Sequence, residues 1–442
     1  MLLDKGSDLQ MPFYMFYLWG WAKVFGTSEL ALRAANIPWF VAAILALCWG
    51  LARDRQLRIC VLVIALTNAF LWYYISEARP YTVLFAFSAM TFAALFRLRR
   101  SANLSPEFQS IFGWFCFGMV GTCATNLIAV PWAIAALCAF IWWSGWRFSF
   151  EKALRSPWVF GLTAITLTGL AFYYLWTLRA GARASDVART DLTNLAFAFY
   201  ELVGLSGIGP GRLALREQGV RALSDYAPYL LAGGMAIFAF SAAALIELRN
   251  KVTRRDLTFF GICTIFPLTL LILMAEVAHM RLLGRHFVPL LPFLLVFLGV
   301  GFRRLLFAPS IWLRASACFG ALILAVSALE IRFATRHQRD DYRGAATIAR
   351  QAIADGQKVW WAADITAAAY YAVPLNSPLL TVGINLNDPS FKLLSAPDVV
   401  CLSKPDIYDP DAKIRRYLRE HYLKVTRELL AFQIFERQFE SR

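Results

Sequence analysis

Through the first three quarters of this chain, apolar residues come in runs too long for a soluble core and about long enough to cross a bilayer. The runs lie near residues 28–52, 57–74, 81–97, 109–124, 128–144, 157–177, 228–247, 257–276, 286–302 and 313–330, which predicts about ten spans. Pro12–Phe25 is equally apolar and aromatic but short for a crossing, so it reads as a re-entrant or interfacial helix ended by Gly26. Between residues 179 and 227 the pattern opens into a longer loop. It contains an amphipathic segment, Leu192–Val203, followed by a glycine run, Gly204–Gly211. That run has no Walker lysine and follows no strand, so it predicts a flexible loop over the membrane rather than a nucleotide cradle.

Beyond Arg336 the periodicity changes. Helical spacing at Asp341–Ala354 and Ala412–His421 alternates with short strand-like runs at Lys358–Ala363, Leu379–Ile384 and Val399–Leu402. The expected fold is therefore mostly α: a polytopic helical membrane domain over residues 1–335 and a small C-terminal α/β domain outside the bilayer over 336–442.

Composition sharpens this picture. The 442 residues are 59% hydrophobic and only 17% charged, which excludes an ordinary soluble protein. A net charge of +15 in a soluble chain would suggest nucleic acid. Here the cations collect in alternate loops, at Arg53, Arg55 and Arg58; Arg97, Arg99 and Arg100; Arg147, Lys152 and Arg155; Arg249, Lys251, Arg254 and Arg255; and Arg303, Arg304 and Arg314. The positive-inside rule accounts for that asymmetry with no nucleic acid partner, and it makes those loops cytoplasmic. The opposite loops hold Arg79, Arg281, Arg285 and the 179–227 segment, so they and the C-terminal domain are expected outside. Ten spans then put the polar start, Met1–Asp8, outside as well. Such a start fits either a short translocated tail or a chain lacking a first helix and its loop. The eight cysteines show no CxxC or Cys/His spacing, so neither a metal nor a disulfide framework is expected.

The most informative polar stretch is Ser76-Glu77-Ala78-Arg79-Pro80-Tyr81, between two apolar runs and behind the aromatics Trp72, Tyr73 and Tyr74. An arginine held there by a nearby glutamate suits a phosphate. A snorkelling arginine paired with its neighbour fits the same residues.

Five stretches, in order, resemble the signatures of GT-C superfamily glycosyltransferases that use lipid-linked sugars. These include relatives of the protein O-mannosyltransferases, the lipid A aminoarabinose transferases and the lipopolysaccharide-core galacturonosyl transferases. Gln10-Met11-Pro12-Phe13-Tyr14 resembles a His-Pro-Pro-Leu-Tyr-Tyr element, and Phe25-Gly26-Thr27-Ser28-Glu29 resembles the Phe-Gly-x-Ser-Glu continuation of that element. Ser76–Tyr81 resembles the next signature, Arg285-His286-Phe287-Val288-Pro289-Leu290-Leu291-Pro292 a late Arg-Tyr-x-x-Pro-x-x-Pro element, and Asp340–Ala346 the start of the C-terminal domain.

The resemblance implies a bacterial inner-membrane enzyme. It would move a sugar from a polyprenyl-phosphate carrier to a glycolipid, a surface glycan or a protein on the outer face, with membrane lipids around it and no cofactor. It implies Arg79, Arg285 and His286 as phosphate partners, with interfacial anchoring the alternative for the last two. Glu77 would orient Arg79 or bind hydroxyls, and Gln10, Tyr81, Tyr200 and Glu201 would touch donor or acceptor. The family places its general base in a first outer loop upstream of the Pro12 motif, a segment expected to be missing here. Asp8 is the carboxylate immediately before Pro12 and a weak substitute. A transporter or lipid-carrier flippase is the competing reading, although charge crowds at span ends and no repeat is visible. A scaffold without catalysis is a third.

Overall fold

The computed structural model describes residues 7–100, 106–145, 156–180, 190–249, 251–277, 279–384, 396–409, 411–420 and 423–437. It divides into two compact units, Met1–Gly209 with Asp225–Arg332, and Pro210–Ser224 with Phe333–Arg442.

The first unit is helical. Among the described residues, eight helices are long and apolar enough to cross a membrane: Glu29–Gly50, Tyr81–Arg100, Leu127–Ser144, Pro157–Arg179, Gly219–Arg249, Arg254–Val277, Gly284–Leu306 and Ile311–Phe333. This is an integral membrane protein. Two places account for the difference from ten. The 57–74 run is broken into Arg55–Leu66 and Ala69–Ile75, bent by 62°, and counts as a ninth span only if the pair is taken together. The break falls at Asn68, whose side chain accepts from Leu71 N and so caps the second piece. The 109–124 run forms the helix Pro106–Thr125, which carries Glu107, Gln109 and Ser110 and is less apolar than the eight.

Tyr81–Arg100 is the central helix of this unit, with 15 residues buried. It packs on Ile37–Gly50, Pro106–Thr125 and Leu291–Leu306.

The glycine run is not a loose loop. Residues 204, 205 and 207–211 are buried. Gly207 N donates to Ser327 Oγ at 3.0 Å, and Ser327 Oγ donates to the Gly204 carbonyl at 2.6 Å. A Cβ on Gly207 would overlap the Ser327 carbonyl. Glycine is required there by close backbone approach, and the expectation of flexibility is corrected for that reason.

In the second unit a five-stranded sheet runs in the order β2-β1-β3-β5-β4. The strands are β1 Val359–Ala362, β2 Leu380–Val382, β3 Val399–Ser403, β4 Leu423–Leu429 and β5 Phe432–Arg437. Strands β2, β1 and β3 are parallel, while β5 pairs antiparallel with both β3 and β4. Every residue of β1 and β3 is buried because both faces are covered. Val359, Trp361, Val399 and Cys401 pack with Ala345, Ala346 and Ala349 of the helix Tyr342–Ala354. Trp360, Ala362, Val400 and Leu402 pack with Ile414 and Leu418 of the helix Lys413–Glu420. Burial pushes the Cys401 thiol up to about 12, so it is a packing residue and not a reactive one.

Candidate active site

The site begins at the break on Asn68. The short helix Ala69–Ile75 ends at Ser76, and a tight turn follows, in which Arg79 N donates to the Glu77 carbonyl at 2.7 Å. Asn36, fully buried, donates its Nδ2 to the Glu77 and Tyr74 carbonyls. Asn68 Nδ2 donates to the Leu202 carbonyl at 2.9 Å, which fixes the end of the helix Leu192–Leu202 beside the turn. Two asparagines in apolar surroundings are thus spent on holding backbone. Their presence in hydrocarbon-like sequence was the available signal of a role, and the sequence reading missed it.

Above this frame stands an aromatic and cationic cluster. The Tyr74 and Tyr81 rings meet edge to face at 4.8 Å, and the Arg285 guanidinium lies 5.9 Å from the centre of Tyr81. Arg285 belongs to the turn of helix Gly284–Leu290. Gly284 permits that approach, because a Cβ there would strike the Glu201 carboxylate. Tyr81, Arg285 and Glu201 are therefore gathered at one end of the bundle. His286 is beside them, but its Nδ1 accepts from Leu283 N at 3.1 Å and closes the start of its own turn. In the neutral ring the other nitrogen then carries the proton and remains a donor.

The remaining expected residues separate. Arg79 is exposed, yet its charge and that of Glu77 reach the hydroxyl of Tyr14, which is buried with no hydrogen-bond partner among the described residues. Tyr200 packs at a tilt on Phe197, ring centres 5.3 Å apart, with its hydroxyl against Gly209. Gln10 is half-buried in the turn Ser7–Gln10 and makes no hydrogen bond to the cluster among the described residues. The side chain of Asp8 lies outside the described residues.

Electrostatically the cluster is unbalanced. Neither Arg79 nor Arg285 has a carboxylate at ion-pair distance among the described residues, and Arg285 Nε is buried without a hydrogen-bond partner. A buried guanidinium nitrogen left in that state costs on the order of 1–3 kcal/mol, which an anionic oxygen would remove. Among the described residues no group of three or more His, Cys, Asp and Glu is placed to hold a metal ion.

Two hollows lie in the membrane unit. Ser88, two helical turns below Tyr81 on the same face, lines a cavity of about 30 Å³ with Pro289, Phe293, Trp132 and Thr122. Ser88 Oγ and Trp132 Nε1 have no partner there among the described residues. The other, of about 410 Å³, is bounded by apolar side chains including Met119, Ile134, Leu137, Leu167, Leu170 and Leu175.

By sequence, no family model and no curated protein matches the chain. By structure, it resembles the crystal structure of ArnT from Cupriavidus metallidurans bound to undecaprenyl phosphate. The TM-score is 0.51 at 13% identity, covering 97% of this chain and 88% of that one. The apo state of the same protein gives a TM-score of 0.52 at 12% identity, covering 96% and 87%. The chain shares the fold of ArnT.

Proposed function

We propose that this protein is a membrane glycosyltransferase. It moves a sugar from a polyprenyl-phosphate carrier to a lipid or surface-glycan acceptor, on the outer face of the bacterial inner membrane. The observation that carries the reading is the Arg285 guanidinium, seated on Tyr81 with a buried nitrogen unsatisfied and no carboxylate at ion-pair distance among the described residues. A departing lipid phosphate supplies the missing oxygens, and Arg79 approaches it from the exposed side of the same turn. The ArnT fold supports this reading, since that protein was crystallised with undecaprenyl phosphate. The apolar hollow offers the lipid's isoprenoid chain a place among helices. Glu201, over Gly284, and Glu77 are placed to receive acceptor hydroxyls, and neither metal nor cofactor is required.

Arg97, Arg99, Arg303 and Arg304, all ion-paired, gather at the opposite end of the bundle, as expected of a cytoplasmic face, which supports the outward placement of Arg79 and Arg285. The test is transfer from a polyprenyl-phosphate-linked sugar by the purified protein in nanodiscs, together with binding of undecaprenyl phosphate. Binding that is unchanged in Arg285→Ala would remove the reading.

A further inference from the structure

The second unit carries a cluster of its own that the transfer reading does not use. Strand β1 is followed by β2 on one side and β3 on the other, so the chain reverses direction between β1 and β3. In open α/β sheets, ligands settle in the crevice that such a reversal leaves beyond the carboxyl ends of the strands.

Six side chains meet at that place. Lys404, just past β3, pairs with Asp340 at 2.6 Å and donates to the Tyr342 hydroxyl at 3.4 Å, with its ammonium 5.4 Å from the Tyr342 ring centre. Asp364 stands past the end of β1 and caps the next helix through one carboxylate oxygen, Oδ1. Tyr408 feels the charges of Asp364, Lys404 and Asp340 as well as the Tyr342 hydroxyl, and burial raises its own hydroxyl above the ordinary range. Ser403 alternates with Val399 and Cys401, so its side chain points to the face that carries the Tyr342 helix. Ser403 is fully buried, and its hydroxyl has no partner among the described residues.

The geometry points to a carbohydrate-binding site at this crevice, one that takes a neutral, hydroxyl-rich ligand. An anion is disfavoured, because the ammonium of Lys404 is already neutralised by Asp340. A metal cation is disfavoured by that same ammonium in its midst. What remains is an alternation of donors and acceptors matched to vicinal hydroxyls. The Ser403 hydroxyl gains the partner that the chain itself does not give it. The unit would then hold a sugar chain through residues that the transfer reading does not use.

The experiment uses the full-length protein in nanodiscs on an array of lipid-free oligosaccharides built from hexoses, heptoses and amino sugars. The expected result is binding to neutral oligosaccharides, weakened at least tenfold in Lys404→Met and several-fold in Asp364→Asn. The second variant keeps the helix cap and so guards against simple unfolding. Arg285→Ala should bind the array as the native protein does. Absence of any oligosaccharide binding would overturn the inference, as would binding that depends on phosphate esters, binding indifferent to both crevice variants, or binding lost in Arg285→Ala. None of these outcomes bears on lipid-phosphate binding, which is measured separately.

Discussion

The two ends of the membrane unit are both rich in arginine, and they use it in opposite ways. At one end Arg97 pairs with Glu107 and lies on Trp49, Arg99 pairs with the buried Asp256 and lies on Trp143, and Arg303 and Arg304 divide Asp54 and Glu247 between them. Each of these cations ties helices that are distant in sequence. At the other end the ties are amide side chains on carbonyls, from Asn36 and Asn68, and close approaches at Gly207 and Gly284. Of the arginines there, Arg33 pairs with Glu29 within its own helix, while Arg79 and Arg285 have no carboxylate at ion-pair distance among the described residues. Neutral groups do the structural holding at that end, which leaves its positive charge for a ligand.

The widest separation between the ends should come from Arg285→Ala. Turnover per folded molecule should fall on the order of 10²–10³-fold, as when a preorganised transition-state donor is lost. The melting temperature in detergent should stay near that of the native protein or rise slightly, because an unsatisfied buried nitrogen has been removed. A normal rate with lowered stability would mean that the residue is structural after all.

Gly207→Ala tests the neutral frame. The new methyl meets the Ser327 carbonyl, and overpacking of this kind costs about 1–3 kcal/mol or prevents folding. Asn36→Ala is milder. It leaves the Glu77 and Tyr74 carbonyls without their donor, at about 1–2 kcal/mol, and loosens the turn that carries Arg79. Undecaprenyl-phosphate affinity should fall by several-fold alongside stability. An affinity unchanged in a less stable protein would confine Asn36 to scaffolding.

The spans were legible in the sequence because a bilayer crossing needs an uninterrupted run of apolar residues. The bend at Asn68 was not, since one asparagine hardly dilutes an 18-residue window; its meaning depends on Leu202, 134 positions away. The glycine run misled for a related reason: glycine marks freedom and close approach alike, and only the partner backbone at Ser327 decides between them. In the second unit the three parallel strands, two of them fully buried, announced themselves by composition. The β4–β5 hairpin did not, because its turn is Leu430-Ala431, with Ala431 at φ 62°, and lacks the glycine or asparagine that usually marks such a turn. For the site, the order of motifs brought out Arg285 and Tyr81, but not that they touch. Tyr14, inside a quoted motif, passed as one more aromatic.

The smallest effect sharpens the comparison from the other side. Arg303→Ala removes a cation that bridges Asp54 and Glu247 at 2.5 and 3.5 Å. Asp54 keeps its second task, accepting from Leu57 N at 2.9 Å to cap the helix Arg55–Leu66, and Glu247 keeps Arg304 at 2.7 Å. The network therefore loses one strand of several, with side chains about a fifth to a third exposed. Roughly 1 kcal/mol of stability should go, a fall of a few degrees in melting temperature. High salt should narrow the gap between variant and native protein, since screening weakens in the native protein the pairs that the variant lacks. The rate per folded molecule should not change, because this end lies about 30 Å, the length of the Tyr81–Arg100 helix, from Arg285. A loss of turnover here as large as that from Arg285→Ala would mean the two ends are coupled through the central helix, and the division of labour between them would fail.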